Sequence, residues 1–117
     1  MGVISLRNGA VFTHCNNFIV RELMGLMAAE MPGDAEADSK FKLAETVNAL
    51  MLDTVEDPAL AERLERVMLR VAQAVVDGRA PLTSTPFQYP ENRKMFVDSM
   101  RMLVRFMVHP VEGGPPP

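Results

Sequence analysis

Four stretches of the chain carry apolar residues at the three- and four-residue spacings of an amphipathic helix. They cover about residues 13–31, 39–55, 58–77 and 91–108. Proline and glycine interrupt helices, so Pro32-Gly33 and Pro110 are the predicted stops of the first and fourth stretches. The pattern predicts four helices, with short links between the first three and a longer proline-rich link before the fourth.

The third helix has sequence signals at both ends. Asp57 is a favourable N-cap, Pro58 suits the first helical turn and Gly78 suits the C-terminal cap. A continuous core stripe is predicted between them, made of Leu60, Leu64, Val67, Val71, Ala74 and Val75.

The first two helices have weaker boundary signals. Thr13 is the predicted N-cap of the first, and Asp38 or Ser39 the predicted N-cap of the second. The acidic segment before Asp38 is predicted to be an exposed link. The core stripe predicted for the second helix is Leu43, Val47, Leu50, Met51 and Val55.

Residues 1–12 contain β-forming residues on both sides of Asn8-Gly9. Asn-Gly favours a tight type I′ hairpin, because both positions tolerate positive φ. Residues 3–6 are therefore predicted to pair with residues 10–12. An extended arm leading into the first helix is the alternative.

The overall expectation is a mainly α, four-helix bundle-like domain over residues 1–109, with a flexible proline-rich tail at 110–117. Residues 79–90 contain three prolines and are predicted to form a stiff extended crossing before the fourth helix. The length of that crossing leaves the direction of the fourth helix open.

The fourth helix has very few polar positions. Four of its charged residues, Lys94, Asp98, Arg101 and Arg105, share one narrow strip, and about two-thirds of the circumference is apolar. Either this helix lies at the centre of the bundle, or one apolar stripe packs inside while a second one binds a partner. The candidate second stripe is Met95, Met102 and Phe106.

The first helix is also unusually apolar, and two such helices cannot both be central in a small bundle. This favours a homodimer whose interface is built from the first and fourth helices. Methionine is flexible and is over-used at adaptable binding surfaces. The predicted partner-binding residues are therefore Met24, Met27, Met95, Met102 and Phe106.

Composition agrees with a globular protein in a reducing compartment. Hydrophobic residues make up 48% of the 117 residues and the net charge is −3. The single cysteine, Cys15, excludes an intramolecular disulfide, and ten methionines would be prone to oxidation outside the cell. A cytoplasmic location is expected. No apolar run is long enough for a membrane span, and no membrane partner is expected.

Catalytic chemistry is not apparent in the sequence. His14 and Cys15 are adjacent, so on a helix they would point about 100° apart, which is poor geometry for a base and its nucleophile. Neither their spacing nor that of His109 matches a zinc pattern. We expect no enzyme activity, no metal and no cofactor.

A basic patch is the remaining candidate site. It would comprise Arg63, Arg66, Arg70, Arg101 and Arg105, with Phe87 and Tyr89 as loop contacts. Nucleic-acid binding usually shows a stronger basic excess, so it is not the favoured function.

Three functions follow from these patterns. The leading hypothesis is a non-enzymatic protein–protein interaction module, such as a small helical subunit, adaptor or inhibitor, that acts through a Met-rich apolar face and self-associates. The alternatives are a sensor or carrier of a small apolar ligand, and an accessory subunit of a nucleic-acid complex.

Overall fold

A computed structural model of the chain describes residues 2–108, so the predicted tail at 110–117 and His109 lie outside the described residues. The chain is mainly helical, with a small three-stranded sheet. The helices are α1 (Asn17–Glu30), α2 (Ala35–Val47), α3 (Pro58–Val76) and α4 (Pro90–Val108), and the strands are β1 (Val3–Ser5), β2 (Val11–Phe12) and β3 (Ala49–Met51). The mainly α class is confirmed, while the four-helix bundle stays a prediction.

The chain divides between Met68 and Leu69, inside α3, into two compact units. The first unit contains the sheet, α1, α2 and the beginning of α3. The second contains the end of α3, the proline-rich segment and α4.

The N-terminal hairpin is present, but its turn differs from the predicted one. β1 and β2 are antiparallel, with Ile4 opposite Phe12. Gly9 has a φ of +89°, whereas Asn8 is not among the described residues with positive φ. The Leu6 carbonyl accepts a hydrogen bond from the Gly9 amide (2.9 Å), and the Asn8 side chain accepts one from the Ala10 amide (2.9 Å). A wider turn with a left-handed glycine therefore replaces the tight type I′ turn.

The predicted second helix, 39–55, is wrong at both ends. α2 begins four residues earlier, because the Asp34 carboxylate accepts a hydrogen bond from the Ala37 amide (3.0 Å) and acts as the N-cap in place of Asp38 or Ser39. The helix ends at Val47, and the next residue, Asn48, caps it in the left-handed conformation (φ 59°, ψ 39°). The chain then enters β3, which pairs in parallel with β1.

The sheet order is β2-β1-β3, and its two faces are different. Ile4, Phe12 and Leu50 are cross-strand neighbours and all three are buried. On the other face, Ser5 lies between Val11 and Met51, which are both exposed. One face of the sheet is thus a row of buried apolar side chains, whereas the other face has two exposed apolar side chains.

The unusually apolar character of α1 is explained by burial. The helix begins after Asn16, whose side chain accepts a hydrogen bond from the Ile19 amide (3.0 Å), so the predicted N-cap at Thr13 is wrong. α1 packs against α2 within the first unit. The buried residues of α1 are Ile19, Val20, Leu23, Met24 and Met27.

The caps predicted for α3 are confirmed. The Asp57 carboxylate accepts a hydrogen bond from the Ala59 amide (3.0 Å). Gly78 has a φ of +74°, and the Arg79 amide donates to the Ala74 carbonyl (2.8 Å), which is the pattern of a Schellman cap.

The proline-rich segment of the second unit is not fully extended, because Thr85–Gln88 forms a 3-10 turn. Phe87 is buried there and its ring lies 5.2 Å from the ring of Phe96 on α4. The Arg93 guanidinium donates to the carbonyls of Phe87 (2.8 Å) and Leu82 (3.2 Å), which ties the segment to the first turn of α4. The buried residues of α4 are Phe96, Ser99, Met100 and Leu103.

Two glycines are expected to respond oppositely to substitution by alanine. A Cβ at Gly2 would lie 2.7 Å from the Val20 side chain and 3.1 Å from the Asn16 carbonyl, and Val20 is fully buried. Gly2→Ala should therefore lower the free energy of unfolding by about 1–3 kcal/mol. Gly25 lies in α1 with open space around it, so Gly25→Ala should raise that free energy by about 0.5–1 kcal/mol. Urea unfolding monitored by circular dichroism measures the free energy of unfolding of both variants. If Gly2→Ala left that free energy unchanged, the Val20 side chain would have to shift at little cost.

Candidate functional site

The outer side of α4 exposes two methionines on one helical face. Met95 is 42% exposed and Met102 is 40% exposed. They are seven residues apart, which places them on the same side of the helix about 10 Å apart along its axis. Phe106 follows one turn after Met102 and is half-buried. These three residues are the second stripe predicted from the sequence, and the structure leaves its two methionines accessible.

Charged residues alternate with these methionines. Glu91, Met95, Asp98, Met102 and Arg105 follow one another at spacings of four, three, four and three residues, so they form one stripe along α4, called the α4 face below. Glu91 is in the first turn of the helix, Arg105 is in the last, and both are exposed. The α4 face is therefore amphipathic along its length, with an acid at one end and a base at the other.

Asp98 lies at the centre of the α4 face and is held by two cations of its own helix. Lys94 donates to one carboxylate oxygen (2.7 Å) and Arg101 to the other (3.1 Å). The hydrogen bond from Lys94 is the main reason that the pKa of Asp98 is lowered from its ordinary value, and the charge of Arg101 adds to it. Asp98 therefore remains ionised at neutral pH, with its charge balanced locally.

Met24 and Met27 do not belong to an exposed surface. Both were predicted to bind a partner, and both are fully buried in α1. A helical pattern alone does not distinguish an apolar face that is buried within the chain from one that is buried against a partner. We therefore exclude these two residues from the candidate site.

A second group of exposed apolar residues was not expected. Leu43 is 57% exposed and Val47 is 56% exposed, one turn apart on α2, and Met51 on β3 is 38% exposed. The sequence pattern placed all three in the core, since it extended α2 as a helix through residue 55. The actual core contacts of α2 come from the other side of the helix, at Ala37, Phe41 and Ala44.

The predicted basic residues are largely neutralised by neighbouring acids. Arg63 pairs with Asp34 (2.9 Å), and Arg66 pairs with Glu62 (3.5 Å). Arg101 is held by Asp98, as described above. Arg70 and Arg105 are exposed. Arg63, Arg66 and Arg101 thus each have a carboxylate within ion-pair distance, which weakens the attraction of this set for a nucleic-acid backbone.

The two aromatic residues of the proline-rich segment have different environments. Phe87 is buried against Phe96, so it contributes to packing within the second unit. Tyr89 is 56% exposed. Of the predicted pair of loop contacts, only Tyr89 is accessible to a partner.

His14 and Cys15 lack the geometry of a reactive pair. The His14 ring lies edge-on to Phe12, with 5.7 Å between the ring centroids. Cys15 is buried, and burial raises the pKa of its thiol to about 11. The thiolate is the nucleophilic form of cysteine, and at neutral pH almost none is present here.

Peroxide is expected to oxidise the methionines in order of their exposure. Met51, Met95 and Met102 should form sulfoxides first, because their side chains are accessible. The fully buried Met24, Met27, Met68 and Met100 should remain reduced until the chain unfolds. Peptide mass spectrometry after graded peroxide treatment measures this order, and a denatured sample is the control. Early oxidation of Met100 would contradict the packing of α4.

Cys15 is expected to make stability fall at alkaline pH. Its folded pKa of about 11 is above the ordinary value of 9.0, so between these values the unfolded chain loses the thiol proton while the folded chain keeps it. The contribution is present below pH 9 and is lost as pH rises toward 11. The raised pKa corresponds to a loss in the free energy of unfolding on the order of 1–3 kcal/mol. Urea titrations between pH 9 and 11 should show that the free energy of unfolding falls less steeply with pH for Cys15→Ala than for the wild type. If the two proteins lost stability equally over this range, the thiol would have to be exposed to solvent.

Among residues 2–108, no group of three or more His, Cys, Asp or Glu side chains is placed to hold a metal ion. Within the same range, no helix has the length and apolarity needed to cross a lipid bilayer. In comparisons with protein-family models, curated proteins and solved structures, nothing matches this chain.

Proposed function

We propose that this chain is a non-enzymatic protein-interaction module that binds a protein partner through the α4 face and self-associates through it. The observation that carries the proposal is the exposure of Met95 and Met102 on one side of α4, while the neighbouring side of the same helix is buried. The four-helix bundle predicted from the sequence belongs to the same proposal, since it would give α4 one inner and one outer face.

The chemistry of the α4 face suits protein binding. Fully burying a methionine side chain contributes about 1.5–3 kcal/mol, so two that are about 40% exposed retain a useful part of that free energy for a partner. Unbranched thioether side chains also adapt to the shape of the surface they meet. The central charge at Asp98 is already balanced by Lys94 and Arg101, which lowers the cost of covering it.

The charges at the two ends of the α4 face add selectivity to the contact made by its methionines. Apolar contact supplies most of the free energy of association but little orientation, whereas charged rims determine which partner and which register are accepted. Glu91 and Arg105 lie at opposite ends of the α4 face, so a partner with the reverse arrangement of charges is favoured.

Met102→Glu is expected to disrupt binding without unfolding the chain. Unlike Asp98, a carboxylate at position 102 would replace one of the two exposed apolar side chains and would lose its hydration on binding, so association should weaken by about tenfold or more. Methionine and glutamate are both good helix formers and position 102 is exposed, so the melting temperature should change little. The measurements are the molar mass across a dilution series and the amount of protein that co-purifies with the tagged chain.

Leu43→Glu is the matched control for that experiment. It introduces the same carboxylate at an exposed apolar position of another helix, in the other compact unit. The control variant should behave like the wild type in both measurements. If Met102→Glu left both the molar mass and the co-purified protein unchanged, the α4 face would not be the binding surface. Loss of binding in Leu43→Glu alone would move the site to α2.

A further inference from the structure

The charges of the α4 face are arranged almost symmetrically about its methionines. Glu91 and Arg105 are fourteen residues apart, about 21 Å along the helix, and their midpoint is Asp98. The midpoint of Met95 and Met102 lies between residues 98 and 99. The apolar pair and the charged pair therefore share nearly the same centre, with the acid at the N-terminal end and the base at the C-terminal end.

We propose that the partner of the α4 face is the α4 face of a second copy of this chain, packed antiparallel about a two-fold axis near residue 98. This inference rests on the function proposed above and specifies the occupant of that surface. The axis places Met95 against Met102 of the second copy. It also places Glu91 beside Arg105 of the second copy, and symmetry repeats both contacts.

Charge complementarity selects the antiparallel arrangement. In a parallel pair, Glu91 would face Glu91 and Arg105 would face Arg105 of the second copy, so both ends would repel. In the antiparallel pair, both ends bring opposite charges together. Rim charges of this kind determine orientation more than they determine affinity.

The remaining charges of α4 are compatible with this packing. The two Asp98 carboxylates approach each other near the axis, but each is already bound by Lys94 and Arg101 of its own helix. Those two cations directly neighbour Met95 and Met102 in sequence, which puts each about 100° around the helix from its methionine. They therefore lie at the edge of the contact, where water screens them.

One pair of helices makes a small interface. Stable complexes bury about 1,600 Å² in total, and a single antiparallel helix pair buries less. The dimer is consequently weak, and its population depends on protein concentration. A wide concentration series by analytical ultracentrifugation is the appropriate measurement of its dissociation constant.

Charge reversal tests the orientation directly. Glu91→Arg places two arginines at each end of the dimer, and Arg105→Glu places two glutamates there. Each single variant should raise the dissociation constant by about tenfold, because two attractive pairs become repulsive. The dissociation constant of the double variant E91R/R105E should return to within about twofold of the wild-type value, since each of its end pairs again joins an acid and a base. An equimolar mixture of the two single variants should form heterodimers with both pairs complementary.

The double variant and the mixture also serve as controls for folding. They contain the same changes at the ends of α4 as the single variants, so recovery of the dimer assigns the loss to pairing between copies. Single variants that associate as tightly as the wild type would overturn the antiparallel pair. A wild type that stays monomeric throughout the series would overturn it as well. In both of those cases, loss of co-purified protein in Met102→Glu would still support the α4 face as a binding surface for another protein.

Discussion

The first compact unit depends on the left-handed conformation of a single residue, Asn48. Because its φ is positive, α2 stops there and the chain turns directly into β3. Its carbonyl accepts a hydrogen bond from the Val3 amide (3.2 Å), which aligns β3 with β1, and its side-chain amide bonds to the side chain of Asn17 at the start of α1. One residue thus ends a helix, sets the register of the parallel strand pair and fixes the entry to another helix. Asparagine is among the few residues that adopt this conformation at low cost.

The two unusually apolar helices have different explanations. In α1, five side chains are buried, and the methionines among them fill space within the protein. In α4, four side chains are buried, and Met95 and Met102 are not among them. The two methionines lie between charged residues on the α4 face. Methionine content alone therefore does not indicate a binding surface. The distinguishing features are the exposure of the side chain and the charges that flank it.

Elements whose boundaries are encoded locally could be predicted from the sequence. Asp57 and Gly78 delimit α3 through hydrogen bonds within a few residues, and the hairpin is centred on Asn8-Gly9. β3 could not be predicted, because the apolar spacing of α2 continues past Asn48 and the strand is determined by its pairing with β1, more than forty residues away. The α4 face was predictable as a stripe, since its spacing is helical, but which methionines remain accessible depends on tertiary packing.

The strands themselves are only two or three residues long, and this has a consequence for how the protein behaves when concentrated. Fibril growth requires a long run of backbone groups that a neighbouring molecule can extend. Here the β3 edge offers three residues, and the Met51 carbonyl on it already accepts a hydrogen bond from the Thr54 hydroxyl (2.7 Å). Such edges are poor templates for cross-β stacking. Crowded molecules should therefore meet through their helices and separate again on dilution, which favours reversible clusters over amyloid.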